Sequence, residues 1–179
     1  MIYLNDNKDW IIKTKFNPKK TIDYVDSLVR EINSDLNGKS TNGLNSKQYD
    51  LFNSNIDPLN KIMISILEKQ FDNFSFLNVS AWTVCGEEYG YHSIHQHSDE
   101  GVQDICTVSY LKTPQEINPH LSGNIFFIMR DSLNKINIVD LSPKEGDIYI
   151  FPCHVFHGTY PQSKGPRQTL NLDYRVTFK

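Results

Sequence analysis

Three histidines fall within six positions, His92, His95 and His97, and Asp99 follows in Ser93-Ile94-His95-Gln96-His97-Ser98-Asp99. All six histidines of the 179-residue chain lie between His92 and His157, a concentration that raises the question of a metal. On an extended strand, residues i and i+2 point to one side. His97 and Asp99 can therefore offer an imidazole and a carboxylate to a single point. A third ligand has to come from a distant strand, and His157, in Phe151-Pro152-Cys153-His154-Val155-Phe156-His157-Gly158, is the best placed. Two histidines and one carboxylate on one face of a metal leave the opposite positions open, the facial arrangement associated with non-haem Fe(II) and O2 activation. The pair His95-x-His97 competes with this reading. A two-residue shift keeps the same strand face, so a three-histidine site or a shifted register stays open on alternation alone.

Arg167 follows His157 by ten residues. A hairpin pivoting on Lys164-Gly165-Pro166 is expected to fold it back beside the metal ligand on the neighbouring strand. A buried guanidinium there binds a carboxylate in bidentate fashion. Its natural occupant is a dicarboxylate that reaches the metal with its other end.

The elements that must position these groups change character along the chain. In the first third, Thr21 is the expected N-cap of a helix with Ile22, Val25, Val29, Ile32 and Leu36 near helical spacing. Asn37 to Asn45 reads as a polar loop. A second helix is expected to open with Asp57 as N-cap and Pro58 at the first helical position, burying Ile62, Met63, Ile66, Leu67 and Phe71. From Phe74 onward, short runs rich in β-branched and aromatic residues follow one another, separated by Gly, Pro and Ser turns. Seven or eight short strands predict a mostly β fold with N-terminal helices, a double-stranded β-helix (jelly roll) buttressed by helices. The whole chain, 1–179, reads as one domain, with 1–73 mainly a helical buttress and 74–179 the jelly-roll core.

Bulk properties narrow the function. Eighteen Lys and Arg stand against 21 Asp and Glu, a net charge of -3 that argues against a nucleic-acid partner. No apolar run approaches the roughly 18–20 residues that span a bilayer, and the N-terminal stretch lacks the pattern of a secretory signal. Cys85, Cys106 and Cys153 are scattered, without CxxC, so neither a disulfide framework nor a thiolate zinc site is indicated, and a reduced, cytoplasmic setting is expected.

The order His97-x-Asp99, His157, Arg167 in these strands resembles the Fe(II)- and 2-oxoglutarate-dependent dioxygenases, closest to the prolyl-hydroxylase-like branch and to small oxygenases of phages and bacteria. The likeness covers roughly residues 74 to 178. It includes Val108-Ser109-Tyr110-Leu111 with Ser122-Gly123-Asn124-Ile125-Phe126-Phe127, and Pro143 to Pro152 leading into the distal histidine. The resemblance implies Fe(II) held by His97, Asp99 and His157, and 2-oxoglutarate held through its far carboxylate by Arg167 and the Tyr110 hydroxyl. It implies hydroxylation of a C–H bond in a peptide, protein or small-molecule substrate, with O2 consumed and succinate and CO2 released. Gly86 to Tyr91 and Lys112 to Ser122 are the candidate substrate loops.

Two other readings use the same residues. His95-x-His97 with Glu100, then Gly146, Pro152 and His157, imitates the spacing of cupins, which share the double-stranded β-helix and include enzymes independent of 2-oxoglutarate. A jelly roll that binds a partner without catalysis is the third.

Overall fold

The computed structural model describes residues 2–4, 9–34, 40–43, 45–97, 104–114, 123–131 and 133–179. In chain order its elements are β1 (Ile2–Leu4), β2 (Trp10–Lys15), α1 (Lys19–Ser34), β3 (Ser40–Gly43), β4 (Ser46–Asp50), α2 (Asp57–Gln70), β5 (Phe74–Gly86) and β6 (His92–His95). They continue with β7 (Ile105–Lys112), β8 (Ile125–Arg130), β9 (Ile136–Leu141), β10 (Asp147–Pro152), β11 (Phe156–Thr159) and β12 (Arg167–Phe178).

The strands form two antiparallel sheets. Eight run in the order β1-β2-β10-β7-β12-β5-β4-β3, and four in the order β6-β11-β8-β9. Alternation on the central strands explains the layering. Ile12, Ile148, Ile150, Leu170, Leu172 and Tyr174 face one way and meet Val25 and Leu28 of α1 and Leu59, Met63 and Leu67 of α2. Their neighbours Ile11, Tyr149, Phe151, Cys106, Val108 and Tyr110 face the other way and meet Ile125, Phe127 and Met129 of the small sheet. With both faces covered, β10 is buried along its whole length and β7 at all but its last residue, so each reads as a nearly continuous apolar run instead of an alternating one. This is the jelly roll backed by helices that the strand pattern predicts.

The N-terminal region differs from the expectation in three ways. Residues 1–73 supply four strands as well as the two helices. The polar Asn37–Asn45 stretch is not simply a loop, because Ser40–Gly43 pairs with Ser46–Asp50 and β4 in turn pairs with β5. Backbone pairing to an existing edge, which needs no apolar residue, builds this hairpin. Both helices also already include the residues expected to cap them. α1 begins at Lys19, two residues before Thr21, and α2 begins at Asp57 with Ile56 at the N-cap position and Pro58 in the first turn. On α2 the buried stripe is Leu59, Met63 and Leu67, and Ile62 is exposed.

Candidate active site

β6 and β11 are neighbours in the small sheet, and their register sets His95 opposite His157. His97 continues from the end of β6, tied by its backbone N–H to the Cys153 carbonyl at 2.9 Å. The three imidazoles form a tight group. Ring centroids are 4.3 Å apart for His95 and His157, and 5.0 Å apart for both His95–His97 and His97–His157. A potential ligand nitrogen from each lies within 4.8 Å of the other two.

Each ring is anchored through Nδ1. His95 Nδ1 lies 2.8 Å from the Ser93 carbonyl, His157 Nδ1 lies 3.2 Å from the Val155 carbonyl, and His97 Nδ1 lies 3.0 Å from Asp173 Oδ2. Carbonyl and carboxylate oxygens only accept, so Nδ1–H donates and the Nε2 lone pair of each ring is left free. Burial, then the neighbouring imidazoles His95 and His97, hold His157 well below the usual histidine range. Burial also lowers His95; the Ser93 carbonyl opposes the shift and His97 adds to it. His92, beside them, is pushed down to about 4 by burial, then by His95, Arg167 and His97. Neutral rings with free lone pairs are the state a divalent metal requires.

Opposite these rings stands β12. Arg167 opens it and is buried, with no hydrogen-bond partner at Nη1; burial lowers its pKa, with Tyr110 opposing. Tyr110 on β7 is fully buried, and its hydroxyl also has no partner. Burial drives that phenol's pKa upward, with the Arg167 charge opposing. Both line one cavity with His95, His97 and His157, walled by Trp82, Val84, Val108 and Ile125. Leaving a buried guanidinium donor and a buried hydroxyl unpaired is costly. A small dicarboxylate satisfies both, and the clustered histidine nitrogens that could hold a metal lie in the same cavity. The residues present thus fit a divalent metal with a dicarboxylate co-substrate.

Of the expected site residues, His97, His157, Arg167 and Tyr110 share this cavity. Asp99, like Glu100 of the cupin spacing, lies outside the described residues. His95 joins the cluster instead of standing beside it. Arg167 reaches the site by a different route from the expected hairpin, because β11 belongs to the small sheet and β12 to the large one. The Lys164-Gly165-Pro166 turn therefore crosses the sandwich and sets Arg167 facing the histidines from the opposite layer. His154 is elsewhere, 2.9 Å from Asp9 Oδ1.

Sequence reasoning missed Asp173, which lies below His97. The signal was present in β12. Arg167, Thr169, Asn171 and Asp173 alternate with Leu170, Leu172 and Tyr174, and the polar set faces the site while the apolar set enters the helix-side core.

The family described as "Putative 2OG-Fe(II) oxygenase" matches residues 80–173, more than half of the chain. The chain belongs to this family of enzymes, whose metal is Fe(II) and whose co-substrate is 2-oxoglutarate. No curated protein matches. Among solved structures, the viral collagen prolyl hydroxylase of Paramecium Bursaria Chlorella virus-1, in its 2-oxoglutarate complex, has a TM-score of 0.61 at 17% identity, covering 92% of this chain and 95% of its own. A prolyl hydroxylase of Trichoplax adhaerens, bound to a hypoxia inducible factor peptide fragment, has a TM-score of 0.68 at 13% identity, covering 94% and 84%. The α-ketoglutarate-dependent epimerase SnoN of nogalamycin biosynthesis has a TM-score of 0.69 at 9% identity, covering 96% and 81%. At these identities the likeness is one of fold.

Proposed function

We propose that this chain hydroxylates a C–H bond of a peptide, protein or small-molecule substrate, with Fe(II) held by His97, His157 and a third ligand, Asp99 or His95. The observation that carries the reading is the convergence on one cavity of three Nδ1-anchored imidazoles and two unpartnered buried donors, Arg167 and Tyr110. Asp99, the third ligand the sequence leads one to expect, lies outside the described residues, and His95, which faces His157 across the β6–β11 pair, is the competing candidate.

When bound, Fe(II) and 2-oxoglutarate supply the O2-activating chemistry and release succinate and CO2. The chain's own residues do the rest. His95, His97 and His157 present neutral nitrogens, and Arg167 with Tyr110 orients the co-substrate by its far carboxylate. Trp82, Val84, Val108 and Ile125 keep that end of the cavity dry. The substrate approaches from the adjoining open cleft, where Gln48, Ser80 and Gln96 lie beside Trp82, His92 and His95. The buried Arg167 favours this reading over a cupin independent of 2-oxoglutarate.

The test is Fe(II)-dependent conversion of 2-oxoglutarate to succinate, with metal binding followed alongside it. The expected result is loss of both in His157→Ala, and loss of metal binding in whichever of Asp99→Ala and His95→Ala removes the third ligand. Full turnover in His157→Ala overturns the assignment, and full metal binding in His95→Ala removes His95 from the ligand set.

A further inference from the structure

The three imidazoles are not anchored alike. His95 and His157 donate Nδ1–H to neutral backbone carbonyls, whereas His97 meets a carboxylate, Asp173 Oδ2, at 3.0 Å. Asp173 is 1% exposed, its Oδ2 accepts a hydrogen bond from His97, and its Oδ1 has no hydrogen-bond partner. Ser80 donates a second, longer bond to Oδ2 at 3.2 Å. The Cys106 sulfur is also 3.2 Å from His97 Nδ1, but a thiol sulfur is a weak acceptor beside a carboxylate. The backbone is shaped for the contact, because the β12–β5 ladder breaks register between Asp173 and Tyr174. A bulge of this kind re-aims a side chain and is over-represented next to active sites.

We propose that Asp173 is a positioning residue for the metal centre, acting through the hydrogen bond its carboxylate accepts from His97. The inference rests on His97 being one of the metal ligands proposed above. An ionised carboxylate cannot donate, so it fixes His97 as the Nδ1–H tautomer and aims the Nε2 lone pair at the metal. It also draws the Nδ1 proton toward itself, which raises the electron density of the ring and makes Nε2 a stronger donor, the effect known for carboxylate–histidine–metal arrangements. In return, the polarised imidazole of a metal-bound His97 offsets the cost of burying Asp173.

The test is anaerobic Co(II) titration of the full chain, read by quenching of tryptophan fluorescence, with Trp82 only 5.1 Å from the His97 ring. Asp173→Ala is expected to weaken Co(II) about 10- to 100-fold. Asp173→Asn keeps an acceptor but loses the charge, and is expected to fall between Asp173→Ala and wild type. Wild-type affinity in Asp173→Ala overturns the proposal and leaves the ligand set standing, provided His157→Ala abolishes binding. Absence of Co(II) binding in the wild type overturns both. Because Asp173 is buried and its variants can fail to fold, 15N-histidine NMR of the Zn(II)-loaded wild type gives a second reading. Nδ1 of His97 is expected to carry a proton in strong hydrogen bonding; a deprotonated or metal-bound Nδ1 overturns the proposal.

Discussion

Arg167 shows at the level of one residue what the site is built to receive. A guanidinium that is 2% exposed with an unpartnered Nη1 lowers stability unless an anion meets it. Replacing such a group with an apolar side chain of similar length is often neutral or stabilising by about 1–4 kcal/mol. Arg167→Met is therefore expected to raise the melting temperature of the metal-free protein. The same change is expected to weaken 2-oxoglutarate roughly 10- to 100-fold, the equivalent of a charge-assisted hydrogen bond of about 1.5–3 kcal/mol. Thermal melts with and without Zn(II) and 2-oxoglutarate measure both. A lower melting temperature together with an unchanged co-substrate requirement removes Arg167 from this role. His97, His157 and Arg167 were legible in the sequence because their types are scarce and their order is informative. The choice between His95 and Asp99 was open in the sequence, since both share a strand face with His97, and Asp99 lies outside the described residues. Asp173 was hidden because its partner is 76 positions away, and only the polar alternation of β12 hinted at it.

At the level of elements, the site depends on how closely β6 lies against β11. Gly158 follows His157 and is the reason they approach. A Cβ there would stand 2.7 Å from Phe126 Cζ and 2.9 Å from the His92 carbonyl oxygen. Gly158→Ala must push β6 or the Phe126 ring away, and overpacking of this kind costs about 1–3 kcal/mol. The variant is expected to unfold at lower denaturant and to bind Co(II) more weakly, because His95 moves with β6. Unchanged values for both contradict this pairing. The strands from β5 onward were readable from their β-branched runs and turn residues. The β3–β4 hairpin was not, because Ser40–Gly43 and Ser46–Asp50 are polar and owe their conformation to the edge of β5. The crossing between β11 and β12 was misread as a hairpin, since a Gly-Pro turn marks a reversal without saying which sheet the chain enters.

For the whole molecule, several imidazoles are buried around one point in a form that resists protonation. His157, His95 and His92 all titrate below the 6.5 of an exposed histidine, burial being the largest cause in each case, and His92 falls to about 4. Between their folded values and about 6.5, the unfolded chain binds more protons than the folded one, so stability rises with pH across that interval. The contribution is fully present above the unfolded value and is lost on acidification through the folded ones. Denaturant midpoints of the metal-free protein are expected to fall from pH 7 to pH 4.5, and His92→Gln is expected to flatten the decline. A midpoint independent of pH over that range contradicts the burial of neutral rings. The two-layer jelly roll was legible from strand count and helix placement. Which residues of its opposing layers meet was not, since that is decided by register and by which sheet each strand joins.

The central claim is that one cavity holds the metal on histidines from the small sheet and the co-substrate on Arg167 and Tyr110 of the large one. A crystal structure of the full chain with Mn(II) and 2-oxoglutarate, grown anaerobically, tests it most directly. The predicted result is a metal coordinated by Nε2 of His97 and His157 with Asp99 or His95 as the third protein ligand, and a 2-oxoglutarate chelating it with its far carboxylate on Arg167 and the Tyr110 hydroxyl. A metal coordinated without His157, or a 2-oxoglutarate whose far carboxylate leaves Arg167 unpaired, would contradict it.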